Sequence, residues 1–230
     1  DNSGRPGANC HGYGDDIQIK WNGVVGRMEL IARDPVYVSS VRTIPDLENK
    51  RVRVLVKLAN ATGVTAEGDV LLEARLRGSA EVVGTKRGYF KIAGAESPLE
   101  LTVALDKNWR VWDEFDPALY ELTATVRAEA EGVKCQDVST VRFGMRELGQ
   151  KGTQFTLNGR TVFLRGTHDG VGFPLLGHPA GDVESWRRVF RICKQYGLNH
   201  VRYHSICPNL PAFIAADEEG VILQPELPVW

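Results

Sequence analysis

The chain has 230 residues, 43% of them hydrophobic, and a formal net charge of −1 at pH 7. This length predicts one or two domains with enough apolar residues for a core, and the charge creates no field that would attract nucleic acid or an anionic membrane. No apolar run reaches about 18 residues, so we expect no membrane span.

Residues 1–34 are rich in glycine and polar residues and contain two strand-like runs, at 17–21 and 26–32. Two strands cannot bury a face by themselves. We therefore interpret this segment as the last strands of a larger N-terminal sheet, or as an extension of the domain that follows.

Residues 35–148 form a series of β-like runs, at 36–44, 52–58, 70–76, 99–105, 120–128 and 138–143. Within 52–58, apolar side chains alternate with Arg53 and Lys57, as expected for a sheet with one face in water. About seven short strands in roughly 110 residues predict an immunoglobulin-like β-sandwich.

Residues 149–230 change to a helical period. Apolar residues form one stripe over 182–197, with Asp182 as N-cap and Gly197 just beyond the C-terminus. A second helix is predicted over 210–219, between Asn209 and Gly220. Strands before, between and after these helices predict a parallel sheet, because a helix between two strands is the usual crossover that joins parallel neighbours.

Six phrases follow one another in a characteristic order: residues 21–30 (WNGVVGRMEL), 112–120 (WDEFDPALY), 143–146 (FGMR), 155–166 (FTLNGRTVFLRG), 199–202 (NHVR) and 217–223 (DEEGVIL). Together they resemble glycoside hydrolase family 2, the family of β-galactosidases, β-glucuronidases and β-mannosidases. The resemblance implies the end of a jelly-roll sugar-binding domain in residues 1–34 and an immunoglobulin-like sandwich in 35–148. For residues 149–230 it implies the first three strands of a (β/α)8 TIM barrel.

The same resemblance implies a retaining exo-glycosidase that hydrolyses O-glycosidic bonds in glycans, and it is compatible with a periplasmic or secreted bacterial protein. Two departures from the family pattern leave the sugar open. His168 stands where the family often has asparagine. Residues 202–208 are one residue longer than the usual R-x-S-H-Y-P, with histidine and serine exchanged.

The family places its acid/base glutamate at the end of the fourth barrel strand and its nucleophile at the end of the seventh. A whole barrel needs about 250 residues. We therefore expect both glutamates to lie beyond residue 230, no catalytic residue within the chain, and no hydrolase activity of the chain alone. The alternative is a non-catalytic carbohydrate-binding or protein-interaction module.

Polar residues follow the predicted barrel strands where such enzymes bind their substrates. The resemblance suggests a carbohydrate-binding role for His168, Asp169, Arg202, His204 and Glu226. His168 and Asp169 could instead order a loop, and Arg202 could simply form an ion pair with Glu226. Trp230 could stack on a sugar ring or belong to the core.

The four cysteines, Cys10, Cys135, Cys193 and Cys207, form no C-x-x-C pair and no zinc-like spacing, so we expect neither a metal nor a cofactor. Cys193 is interpreted as a buried free thiol. The third barrel strand would leave an open edge, through which we expect self-association unless something covers it.

Overall fold

The computed structural model describes residues 23–106 and 108–227. The chain divides into two compact units, Leu30–Thr161 and a second unit that includes residues 162–227. The predicted strand at 17–21 and Trp230 lie outside the described residues. No helix in the described part of the chain is long and apolar enough to cross a membrane.

Seven antiparallel strands make up most of the first unit. One sheet has the order β1-β2-β5 and the other β4-β3-β6-β7. The strands are β1 (Val36–Asp46), β2 (Arg51–Asn60), β3 (Ala66–Leu76), β4 (Val82–Ile92), β5 (Glu96–Ala104), β6 (Leu119–Ala130) and β7 (Val133–Gly144). Alternate residues of both sheets, such as Val54, Leu72 and Leu122, are fully buried in one shared core. The predicted β-sheet domain is confirmed.

Strand β4 was missed by the sequence analysis, because two glycines and several charged residues hide its alternation. Both glycines are required by close approach. A Cβ built on Gly88 would lie 2.5 Å from the Leu101 side chain, and one on Gly84 would lie 2.7 Å from the carbonyl oxygen of Ala104. The glycines therefore let β4 pack closely against β5.

The predicted strand at 26–32 is wrong. These residues form no strand, and Met28, Leu30 and Ile31 are exposed. A strand needs a neighbour to take up its backbone hydrogen bonds, and no described strand pairs with this segment.

A small sheet of order β10-β9-β8 completes the first unit, with strands β8 (Leu148–Lys151), β9 (Gln154–Leu157) and β10 (Arg160–Thr161). Asn158 and Gly159 have φ values of 53° and 76°, as a two-residue Asn-Gly hairpin requires. The Asn158 side chain also donates to the Trp112 carbonyl oxygen at 3.0 Å. The hairpin thus groups with the sandwich in the first unit, whereas a domain boundary at residue 149 stays a prediction.

The second unit is a small α/β structure with a parallel sheet of order β11-β12-β13. Its elements are β11 (Gly166–Asp169), α1 (Val183–Gln195), β12 (His200–Tyr203), α2 (Leu210–Glu219) and β13 (Ile222–Pro225). Both helices and the parallel pairing are confirmed.

The helix ends match the predicted signals. Asp182 accepts a hydrogen bond from the Ser185 backbone at 2.8 Å, and Gly220 ends α2 in the left-handed conformation. Asn209 precedes α2 without a side-chain cap bond; its amide instead donates to the Ala180 carbonyl oxygen at 2.7 Å. A capping residue type therefore marked the start of α2, although its side chain ties down the loop before α1.

Candidate functional site

Strand β12 separates a helix-covered face of the parallel sheet from a polar face. Val201 and Tyr203 are almost fully buried in one cluster with residues of α1 and α2. Because side chains alternate along a strand, His200 and Arg202 point to the opposite face. Register places Gly166 and Ile222 beside His200, and His168 and Gln224 beside Arg202. The polar face therefore crosses all three strands.

Glu226, just after β13, joins the carboxyl ends of two neighbouring strands. Its Oε1 accepts a hydrogen bond from Arg202 Nε at 2.6 Å. Its Oε2 accepts one from the Ser205 backbone N–H at 2.8 Å and lies 3.2 Å from His204 Nδ1. One carboxylate therefore contacts three groups at the end of β12: the Arg202 guanidinium, the His204 imidazole and the backbone of the turn at Ser205.

The turn is strained because Ser205 adopts a φ of 55°, a left-handed conformation that is uncommon for residues other than glycine. Ser205 is also buried, at 4% exposure, so its backbone N–H needs a partner inside the protein. Glu226 supplies it. Strain held by a neighbouring group is typical of functional sites, although it does not identify the function.

Three hydrogen bonds lower the pKa of Glu226 from 4.5 to about 2: first that from the Ser205 backbone, then those from Arg202 and His204. Each donor favours the charged carboxylate. Glu226 is therefore ionised at neutral pH, and it can accept hydrogen bonds but cannot donate a proton. This excludes it as a general acid in the described arrangement.

His168, at the end of β11, completes the cluster. Its ring lies 5.4 Å from that of His204, centroid to centroid, with the planes tilted by 59°. The side chains of Arg202 and His204 are 43% and 32% exposed, so a solute can reach both. His168, Arg202, His204 and Glu226 are therefore brought together, and we refer to these four residues as the strand-end cluster.

The side chain of Asp169 is turned away from this cluster, although its backbone carbonyl oxygen accepts from the His204 backbone N–H at 3.3 Å. It follows His168 directly, and the alternation of the strand turns it to the helix-covered face. Its Oδ1 accepts from the Val171 backbone at 2.8 Å, and Val171 has a φ of 59°. Burial, with a smaller contribution from Asp169, raises the pKa of Tyr203 far above its ordinary value. Asp169 thus orders the loop after β11, which was the alternative reading of this residue.

Sequence reasoning missed Ser205, His200 and Gly166. His200 is only 9% exposed, and desolvation lowers its pKa, although a hydrogen bond accepted by the Gln224 side chain opposes the shift. A Cβ on Gly166 would lie 2.4 Å from His200 Nδ1, so glycine is needed beside this ring. The extra residue in 202–208 was the one signal that could have indicated the unusual turn at Ser205.

Surface depressions lie elsewhere, one of about 500 Å³ beside α1 and one of about 1160 Å³ on the sandwich. Neither is lined by the strand-end cluster. We identify the cluster by its chemistry, because three donors converge there on one carboxylate at the carboxyl ends of parallel strands.

Residues 36–146 match the family model described as glycosyl hydrolases family 2. A protein of Formosa agariphila, named provisionally as a β-glucuronidase, is 27% identical over 187 residues, which are 80% of this chain and 20% of that protein. A β-galactosidase of Thermoanaerobacterium thermosulfurigenes is 29% identical over 54% of this chain and 17% of its own length. The chain therefore spans about one fifth of the length of the curated relatives it matches.

Among solved structures, a glycosyl hydrolase family 2 member from Bacteroides cellulosilyticus superposes with a TM-score of 0.71 and 19% identity. The match covers 85% of this chain and 27% of that one, and so extends beyond the sandwich into the α/β unit. At this identity the likeness concerns the fold alone. The family match carries the assignment, and the two curated relatives agree with it: residues 36–146 of the chain form a glycosyl hydrolase family 2 domain.

Proposed function

We propose that the chain is part of a retaining exo-glycosidase and that its strand-end cluster binds a sugar of the glycan substrate. In this proposal the sandwich is immunoglobulin-like, and the α/β unit is the first part of a (β/α)8 barrel. The observation that carries the proposal is the convergence of Arg202 and His204 on Glu226 at the carboxyl ends of parallel strands, where barrels of this kind bind their substrates.

The cluster suits a sugar because it combines hydrogen-bonding groups of different kinds within reach of solvent. Arg202 contributes N–H groups besides the Nε–H that contacts Glu226, and only donors. His168 and His204 contribute ring nitrogens that can donate or accept. Sugar hydroxyl groups do both, so a mixed set of this type can fix a ring in one orientation.

The cluster does not supply the cleaving groups of the proposed enzyme. Retaining glycosidases use two carboxyl groups about 5–5.5 Å apart, one as acid and one as nucleophile. Glu226 is occupied by three donors, and Asp169 faces the helices. We therefore assign both cleaving glutamates to parts of the enzyme other than residues 1–230.

A substrate screen on the complete enzyme that contains this chain tests the proposal. Once a nitrophenyl glycoside is found, Arg202→Ala should lower kcat/KM by about 10- to 100-fold, because a hydrogen bond to a charged group contributes about 1.5–3 kcal/mol. Arg191→Ala on α1 is the control, since its exposed side chain pairs only with other helix residues in the described structure. Equal activities of the two variants would contradict the proposal.

The 230-residue chain alone should not hydrolyse any of these glycosides. Robust turnover by the purified chain would show that the cleaving carboxylates are within it. Glycan binding by the chain, together with an inactive complete protein, would favour the alternative of a non-catalytic carbohydrate-binding module.

A further inference from the structure

We infer that Glu226 is a positioning residue that fixes His204 as the Nδ1–H tautomer, so that Nε2 is the hydrogen-bond acceptor of the ring. The consequence for sugar recognition rests on the proposed function, whereas the tautomer itself does not. The inference follows from which groups around His204 can donate and which can only accept.

Two oxygen atoms of the described residues lie within hydrogen-bonding distance of His204 Nδ1. Glu226 Oε2 lies at 3.2 Å and Ser205 Oγ at 3.1 Å. A hydroxyl can donate or accept, so Ser205 is compatible with either state of Nδ1. An ionised carboxylate can only accept. The contact with Glu226 is therefore favourable only when Nδ1 carries the hydrogen, and the carboxylate decides the tautomer.

The other two donors keep Glu226 ionised and immobile. Arg202 Nε–H binds Oε1, and the Ser205 backbone N–H binds Oε2. Both donors hold hydrogens that they cannot lose or turn away, because one belongs to a guanidinium and the other to the backbone. Each of these hydrogen bonds favours the ionised carboxylate over the protonated acid.

The same geometry explains why glutamine cannot replace glutamate. A glutamine has one oxygen and one NH2 group. With its oxygen towards Arg202, its NH2 meets the Ser205 N–H and can donate to His204 Nδ1, which favours the opposite tautomer. With its oxygen towards Ser205, its NH2 meets Arg202 Nε–H. Only a carboxylate satisfies both sides at once.

In the neutral Nδ1–H tautomer, any group that binds Nε2 must bring a hydrogen. For a sugar, that group is a hydroxyl that donates to His204. Arg202, on the same face, can only donate, so it recognises the oxygen lone pairs of the ligand. Glu226 thus gives the two neighbouring side chains complementary roles: Arg202 binds sugar oxygens as acceptors, and His204 binds a hydroxyl as a donor.

Nitrogen NMR of histidine side chains in the 230-residue chain tests this at about pH 8, where an ordinary imidazole is neutral. The resonances of His204 are assigned by their loss in His204→Gln. We expect Nδ1 in the protonated range and Nε2 in the unprotonated range. In Glu226→Met, which removes the acceptor altogether, the ratio of Nδ1–H to Nε2–H should fall by at least about tenfold, given the strength of a hydrogen bond to a charged acceptor. Glu219→Met makes the same chemical change on α2 and should leave the ratio unchanged.

A wild-type His204 that carries its hydrogen on Nε2 overturns the inference, even if Glu226→Met does not fold. An unchanged ratio in a folded Glu226→Met also overturns it. If the tautomer is as stated but no glycoside binds, the proposed function fails while the inference about Glu226 stands.

Discussion

Among the charged side chains of α1, we expect Arg187 to contribute most to the stability of the α1–α2 helix pair. It forms ion pairs with Glu184 and Glu218, and a longer one of 3.6 Å with Glu219. The Glu218 side chain is only 7% exposed, whereas that of Glu184 is 67% exposed. In Arg187→Ala, Glu218 stays buried without its guanidinium, which makes this pair different from a surface ion pair.

The expected cost follows from that burial. Removing one partner of a fully buried pair costs about 3–5 kcal/mol, and a hydrogen bond to a charged group contributes about 1.5–3 kcal/mol. Because Arg187 is itself 23% exposed, we expect about 2–3 kcal/mol for Arg187→Ala. Arg191, with a side chain 55% exposed, also pairs with Glu184 and Glu219. Arg191→Ala should cost at most about 1 kcal/mol.

Hydrogen exchange of the α1 and α2 backbone amides measures this difference directly, because it reports the free energy of opening for each part of a chain. Amides that exchange through opening of the helix pair should exchange about 30- to 150-fold faster in Arg187→Ala, and at most about fivefold faster in Arg191→Ala. Equal effects of the two substitutions would refute the reasoning that burial of Glu218 decides the cost.

Three other predictions concern the site and the core. Gly166→Ala should destabilise the α/β unit by about 1–3 kcal/mol, because its Cβ would lie 2.4 Å from His200 Nδ1. A Cβ on Gly170 would meet nothing within 4 Å, so amide exchange in β12 should become faster in Gly166→Ala and stay unchanged in Gly170→Ala. Leu72→Ala, at a fully buried site, should lower the free energy of unfolding of the sandwich by about 2–5 kcal/mol, and Leu148→Ala, at 65% exposure, by less than about 0.5 kcal/mol, as measured by urea denaturation. Because the pKa of Glu226 is lowered to about 2, its stabilisation of the Ser205 turn should be fully present above pH 4.5 and lost as the pH falls towards 2; Ser205 amide protection that is already lost at pH 5, or retained at pH 2, would contradict this.

The elements whose signals are local could be predicted from the sequence. Asp182, Gly197 and Gly220 mark helix ends because caps require particular residue types and conformations. The alternation of side chains along a strand also indicated that Arg202 and His204 lie on the same face. The same rule places His168 and Asp169 on opposite faces of the sheet, and a carbohydrate-binding role for Asp169 stays a prediction.

The missed features depend on contacts between distant parts of the chain. Strand β4 could not be recognised because Gly84 and Gly88 are required by the close approach of β5, and no pattern within β4 reveals that contact. The Ser205 turn depends on Glu226, which is far along the sequence and reaches it only through the pairing of β12 with β13. Residues 26–32 show the converse: a strand-like pattern forms no strand where no described strand pairs with it.

The central claim is that the strand-end cluster binds a sugar, and a titration of the ¹⁵N-labelled chain with a panel of methyl glycosides tests it most directly. Chemical shift changes should concentrate at His168, Arg202, His204 and Ser205, and they should be lost in Arg202→Ala but retained in Arg191→Ala. Changes confined to the sandwich, or changes at the cluster that persist in Arg202→Ala, would contradict the account.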